Sequence, residues 1–167
     1  MTATTPPFHL PFRTSVRVRY AETDKMGVVY YANYLVWFEI ARVELLRQLG
    51  FDYKKMEVDE DLMLPVVDVN CRYKSPAVYD DVIVIEMKIV SLRSSMLKFA
   101  YEIYRAGAPA ADGSLTVDKL LASGDTTHVI VGYGMQKTVL PEKYASVIRA
   151  AFPAASENGS RSEGFGN

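Results

Sequence analysis

The 167-residue sequence predicts an α+β fold in which an antiparallel sheet curls around one buried helix. One long apolar helical stretch comes early, from about Tyr31 to Leu49, and strand-like stretches follow it from Leu64 to Tyr133. Ser75-Pro76 and Ala111-Asp112-Gly113-Ser114 punctuate the late stretches with turn chemistry, so consecutive strands are expected to pair as antiparallel neighbours. A sheet wrapped around the helix satisfies both the all-round apolar helix and the run of strands.

Val16, Val18 and Tyr20 alternate with Arg17 and Arg19, the period-two pattern of a half-buried strand. In the helix, Leu35, Val36, Trp37, Phe38, Ile40, Leu45 and their neighbours cover most of the circumference. They leave a narrow polar strip at Glu39, Arg42 and Arg47, so the helix must be covered on several sides. Gly50 stands just past its end, where a helix favours glycine. A short helical segment is expected at Tyr53 to Val58, then strands at Leu64 to Lys74, Val82 to Leu92, Met96 to Arg105 and Leu115 to Tyr133. Pro141 suits the start of a final helix running to about Phe152. The expected organisation is an N-terminal arm over residues 1–12, one domain over 13–152, and a disordered tail over 153–167 that is rich in Ser, Glu, Asn and Gly.

A chain of this length can bury roughly 68–70% of its unfolded surface without metals or disulfides. The formal net charge of -1 argues against a dedicated nucleic-acid surface but leaves room for a compact basic patch facing a phosphorylated small molecule. Cys71 is the single cysteine, which excludes an internal disulfide and fits a reducing compartment. Met1 to Thr14 lacks the charged region and apolar run of a secretory signal, and the charge-free stretch Met26 to Phe38 is too short to span a membrane. A soluble, cytoplasmic protein is expected.

The most informative segment is Tyr20-Ala21-Glu22-Thr23-Asp24-Lys25-Met26-Gly27-Val28-Val29-Tyr30-Tyr31-Ala32-Asn33-Tyr34. It sets an acidic residue on a turn, with Gly27 free to take backbone angles that other residues resist, and runs straight into the long helix. The first amides of a helix lack internal partners and carry the positive end of its dipole, so they can hold a developing oxyanion beside Asp24. Spacing alone leaves a second reading open, in which Asp24 is a turn residue that satisfies nearby amides.

This segment resembles the signature Tyr-x-(Asp/Glu)-Thr-Asp-x-x-Gly-Val-Val-Tyr-Tyr-x-Asn-Tyr of the acyl-CoA thioesterases in the 4-hydroxybenzoyl-CoA thioesterase-like branch of the hotdog-fold superfamily. The likeness extends more loosely from about Arg13 to Val131, through Phe38-Glu39-Ile40-Ala41-Arg42, Tyr73-Lys74-Ser75-Pro76 and Tyr79-Asp80-Asp81. It implies a hotdog fold, dimers that often double into tetramers, and active sites at the subunit interface. It also implies hydrolysis of an acyl- or aroyl-CoA to free acid and CoA. Asp24 would serve as nucleophile or general base, and the backbone amide of Tyr31 would polarise the thioester carbonyl.

Other residues are weighed beside these. Glu22 reads as structural support. Asn33 matches the family's asparagine and is expected to tie the loop to the helix start. Tyr30 and Asn33 are taken as substrate-side residues, within an aromatic cluster, Tyr30, Tyr31, Tyr34, Trp37 and Phe38, that is mostly core. Glu39 is the reserve catalytic candidate, because some hotdog thioesterases carry their carboxylate on the central helix. Its i+3 neighbour Arg42 favours a structural or interface ion pair instead. Arg72, Lys74, Arg93 and Lys98 are candidate phosphate contacts, and Arg93-Ser94-Ser95-Met96 resembles the run that lies along CoA in this branch, which makes Arg93, Ser94 and Ser95 substrate-binding candidates.

Several chemistries drop out. There is no Gly-x-Ser-x-Gly elbow, and Lys137 occupies the third glycine position after Gly132-Tyr133-Gly134. Two histidines, His9 and His128, do not make a multi-histidine metal site. Neither the Asp24 loop nor the central helix holds a histidine, which favours hydrolysis over the dehydration run by related hotdog enzymes. No metal or redox cofactor is expected. The remaining alternatives are an acyl-carrier-protein thioesterase and a non-catalytic acyl-ligand binding module.

Overall fold

Alternation along the late strands puts Ile83, Ile85, Met87 and Ile89 on the same sheet face as Leu97, Phe99, Tyr101 and Ile103, and all of them are buried. They pack around Trp37, Phe38, Ala41 and Leu45 of the long helix, with the Phe38 ring stacked on Tyr101 at 4.2 Å between centroids. The computed structural model describes residues 11–157. In chain order these form β1 (Phe12–Arg17), α1 (Asn33–Gln48), α2 (Tyr53–Asp59), β2 (Val66–Tyr73), β3 (Val82–Arg93), β4 (Met96–Ala106), β5 (Val117–Val129), α3 (Glu142–Ala151) and α4 (Ala154–Glu157). Short 3-10 turns occupy Tyr20–Glu22 and Tyr133–Met135. The five strands form one antiparallel sheet in the order β1-β3-β4-β5-β2.

Four expectations need correction. The first strand ends at Arg17, and Tyr20, expected to alternate inward, sits 78% exposed in a 3-10 turn. The helix does not follow the Asp24 turn at once. Val28 and Val29 first form bridges with Val78 and Thr23, extended pairing that suits β-branched residues, and α1 starts at Asn33. β2 does not pair with its successor β3 but with β5, because residues 74–81 cross the end of the sheet instead of turning back. Finally, the ordered chain continues past residue 152: α4 packs against β3 and buries Ala155, since Phe152 and Ala155 give this segment apolar anchors that its average composition hides. Residues 1–10 of the arm, including His9, and residues 158–167 of the tail lie outside the described residues.

Two surfaces remain open. β2 is an edge strand with Val66, Val67, Val69 and Tyr73 exposed. Leu35, Val36 and Ile40 of α1 are also exposed, so one side of the helix expected to be covered is bare in the single chain. Among the described residues no helix is long and apolar enough to cross a membrane.

Candidate active site

A tight turn fixes Asp24. Its amide donates to the Val28 carbonyl at 2.9 Å, its carbonyl accepts from the Gly27 amide at 2.9 Å, and Gly27 takes φ +75°, a left-handed angle that glycine adopts without strain. The Met26 amide donates to Asp24 Oδ1 at 2.8 Å, which orients the carboxylate. Among the described residues Oδ2 has no hydrogen-bond partner, and the side chain is half-buried.

Glu22 braces the turn from below. It is 5% exposed and accepts from the Arg19 amide at 2.7 Å, the Arg19 guanidinium at 3.3 Å and the Trp37 indole at 3.2 Å. Burial alone would raise its pKa, but these donors outweigh it and hold the carboxyl below the ordinary glutamate value. The Glu22 carbonyl accepts from the Tyr30 amide at 2.8 Å and from the Asn33 side-chain amide at 2.9 Å, so Asn33 links the loop to the first turn of α1.

At that helix start the amides of Tyr31 and Ala32 make no hydrogen bond among the described residues, as the leading amides of a helix do when nothing caps them. The Tyr31 carbonyl accepts from the Tyr34 amide at 3.3 Å and from the Tyr73 hydroxyl at 3.0 Å. A cleft of about 320 Å³ is lined by Asp24, Tyr31 and Tyr34 from the loop and helix start, and by Tyr73, Ser75 and Pro76 from the end of β2 and the crossing after it. The crossing is held firmly. Tyr34 Oη accepts from the Ala77 amide at 3.2 Å, Arg105 donates to Asp81 at 3.1 Å and to the Pro76 carbonyl at 3.0 Å, and Asp81 also accepts from the Val78 amide at 2.9 Å.

Asp24 and Tyr31 therefore share one cleft, with Asn33 behind it. Tyr30 is exposed, packs its ring on Tyr31 at 4.5 Å and does not line the cleft; contact with the Tyr31 hydroxyl raises its pKa. Arg93, Ser94 and Ser95 form the β3–β4 hairpin, with Ser94 at φ +46°, at the opposite end of β3 from the cleft. The intervening strand spans about 35 Å, so one chain does not bring the hairpin to Asp24. Of the basic candidates, Lys74 lines the cleft, Arg72 lies on a larger groove across the sheet, and Lys98 pairs with Asp125 at 3.0 Å.

The expected Glu39–Arg42 pair is not formed. Arg42 is 8% exposed and turns under α1 to Tyr53, with 3.4 Å to its hydroxyl and 5.8 Å to its ring centroid, while Glu39 stays exposed beside Ile40. Sequence reasoning missed Tyr73 as a site residue. Its only signal was the Tyr73-Lys74-Ser75-Pro76 run, read for likeness and for turn chemistry. Among the described residues there is no group of three or more His, Cys, Asp or Glu side chains able to hold a metal ion.

The larger groove, about 790 Å³, runs across β3, β4, β5 and β2 beside Phe152 and contains no residue of the Asp24 loop, so its size does not make it the reactive centre. Comparison with known proteins identifies the family. YneP of Bacillus subtilis (strain 168) is 40% identical over 111 residues, covering 64% of this chain and 80% of that protein. The acyl-CoA thioester hydrolase YbgC of Escherichia coli O6:H1 is 38% identical over 95 residues, covering 57% of this chain and 70% of that one. The crystal structure of the hypothetical protein TT1821 from Thermus thermophilus matches with a TM-score of 0.71 and 32% identity, over 81% of this chain and 95% of that one. The family model described as Thioesterase superfamily matches residues 26–110, a stretch that begins inside the Asp24 turn. On that match and these relatives, the chain is a hotdog-fold protein and belongs to the thioesterase superfamily.

Proposed function

We propose that this chain hydrolyses an acyl- or aroyl-CoA thioester to the free acid and CoA, with Asp24 as the reacting carboxylate. One observation carries the reading: Asp24 Oδ2 and the Tyr31 amide, both without a hydrogen-bond partner among the described residues, belong to residues on the same small cleft. The name of YbgC, an acyl-CoA thioester hydrolase, supports the substrate class. The Tyr31 N–H donates to the carbonyl oxygen and stabilises the negative charge that develops there. Asp24 then either attacks the carbonyl carbon or takes a proton from an attacking water. In the first route the C–S bond breaks, CoA leaves as a thiolate that takes a proton, and water cleaves the resulting anhydride. In the second, water adds directly, and the same C–S bond breaks from the tetrahedral intermediate. Neither route needs a metal or redox cofactor. The lone free thiol of Cys71 fits a cytoplasmic setting.

The functional unit in this reading is a dimer, with a tetramer as its doubled form. The free edge of β2 and its exposed valines suit antiparallel pairing with a second copy about a two-fold axis. The Tyr73 end of β2 lines the cleft, while its Val66 end pairs with β5 beside the start of β4. Antiparallel pairing would thus carry the partner subunit's 93–95 hairpin toward this cleft and reconcile the CoA-binding expectation for that run with its distance in one chain.

The test is release of free CoA from a panel of aliphatic and aromatic acyl-CoAs by the wild type and Asp24→Asn, after subtracting the Cys71 thiol. Turnover that falls roughly 10²-fold or more in a folded Asp24→Asn variant is expected. Undiminished activity in the variant would remove Asp24 and make Glu39 the next target. No turnover on any acyl-CoA would move carrier-bound substrates or a binding role ahead.

A further inference from the structure

We infer that Tyr73 is a positioning residue for hydrolysis: its hydroxyl, reaching from edge strand β2, anchors the Tyr31 carbonyl and so fixes the peptide groups around the unpartnered Tyr31 amide. The inference rests on the assignment of the Tyr31 amide above. Tyr31 lies two residues before the first residue of α1, and its N–H has no partner among the described residues, so its backbone is held through its carbonyl. That carbonyl has two tethers, a long one from the Tyr34 amide at 3.3 Å and a shorter one from Tyr73 Oη at 3.0 Å. The bond spans 42 residues of sequence, so no local propensity of the helix start supplies it.

The Tyr73 ring is itself well located. It meets Tyr34 edge-on at 5.1 Å and 90°, and Tyr31 at 6.5 Å and 80°. Tyr34 is in turn pinned by the Ala77 amide, so the ring rests on a fixed neighbour. Partial desolvation, with a further contribution from the Cys71 thiol, pushes the Tyr73 phenol up to about 12, and it stays protonated to donate near neutral pH. An oxyanion donor is sensitive to small displacements: a shift of about 1 Å at a reacting centre can cost roughly 10²-fold in rate. Removing the shorter tether loosens the residue that presents the donor.

Tyr73→Phe keeps the ring and deletes only the hydroxyl. Wild type, Tyr73→Phe and Asp24→Asn are assayed side by side on the best acyl-CoA of the panel, with kcat and KM separated. The Ala32 amide resonance is followed by NMR, because that N–H shares a peptide group with the Tyr31 carbonyl. The expected result for Tyr73→Phe is a kcat lowered by about 10-fold to 100-fold, KM essentially unchanged, an unaltered unfolding midpoint and a shifted Ala32 resonance. A fall in kcat with steady KM reports an interaction that matters in the transition state, which a merely structural wall residue would not produce. Wild-type kcat, a loss carried by KM alone, or an unmoved Ala32 resonance overturns the inference. Asp24→Asn separates the two levels. If it is inactive while Tyr73→Phe is fully active, the tether fails and the Asp24 reading stands. If it is fully active while Tyr73→Phe loses kcat, the Asp24 assignment fails and the tether stands. No turnover on any acyl-CoA overturns both.

Discussion

Gly124 of β5 lies so close beneath Phe38 of α1 that a Cβ added to it would stand 2.7 Å from Phe38 Cζ. The same Cβ would meet the Asn70 backbone carbonyl at 2.3 Å, and a strand carbonyl cannot move aside as a ring can. The missing side chain is what lets the central helix settle onto the sheet, with Phe38 stacked on Tyr101.

Gly124→Ala should therefore destabilise the protein through overpacking by about 1–3 kcal/mol or more. Urea unfolding would show it as a lower midpoint with an unchanged slope. A midpoint equal to that of the wild type would mean that the Phe38 contact is not tight.

His128 predicts how stability responds to acid. The ring is fully buried, with Nδ1 2.8 Å from the Leu64 carbonyl and Nε2 2.9 Å from Thr126 Oγ1, which in turn lies 2.9 Å from the Tyr101 hydroxyl. A neutral ring satisfies this chain by donating from Nδ1 and accepting at Nε2. Burial, assisted by the charge of Arg42 and opposed by the Leu64 carbonyl, lowers the pKa from 6.5 to about 4. The unfolded chain takes up this proton near 6.5 and the folded chain only near 4, so the contribution is complete above 6.5 and is lost as pH falls toward 4. Its ceiling is about 3 kcal/mol, at about 1.4 kcal/mol for each tenfold change in proton affinity. Chemical unfolding of wild type and His128→Gln at pH 7, about 6 and about 5 should show a steeper loss in the wild type. Parallel curves would sink the prediction.

Legibility in the sequence divided along the line between local and distant contacts. The turn around Asp24, the support role of Glu22 and the link made by Asn33 all act within one short segment, where turn and helix-start chemistry can be read directly. The β2–β5 pairing could not be read, because β2 meets a strand about 50 residues further along, and the 74–81 crossing that follows it is held by Arg105 and Tyr34 from far along the chain. Arg42 looked like a partner for Glu39 because spacing shows which residues share a helix face but not which of them is buried. Tyr73 was hidden for the same reason. Its partner is 42 residues away, and nothing in an isolated strand says what its hydroxyl will meet.

The exposed edge of β2 gives a third prediction. Lysines on an edge strand oppose pairing with another chain by placing charge where the partner strand would lie. Val67→Lys with Val69→Lys, both positions exposed in the single chain, should convert a dimer or tetramer to smaller species on light scattering while the fold is retained. Specific activity should fall with the assembly. A wild type that is already a stable monomer with full activity would refute the paired-edge arrangement.

The carboxylate and the amide assigned to catalysis sit seven residues apart in a segment fastened to itself through Glu22, whereas more of the cleft lining arrives from residues 73–76. On the proposed reading, the reacting groups and the rest of the cleft lining are written in separate stretches of the gene, joined by the Tyr73 hydroxyl. Substitutions at Lys74, Ser75 or Pro76 would alter that lining while the Tyr73 hydroxyl keeps its hold on Tyr31. Such a layout lets one hydrolytic core diversify over many thioesters without having to rebuild its chemistry.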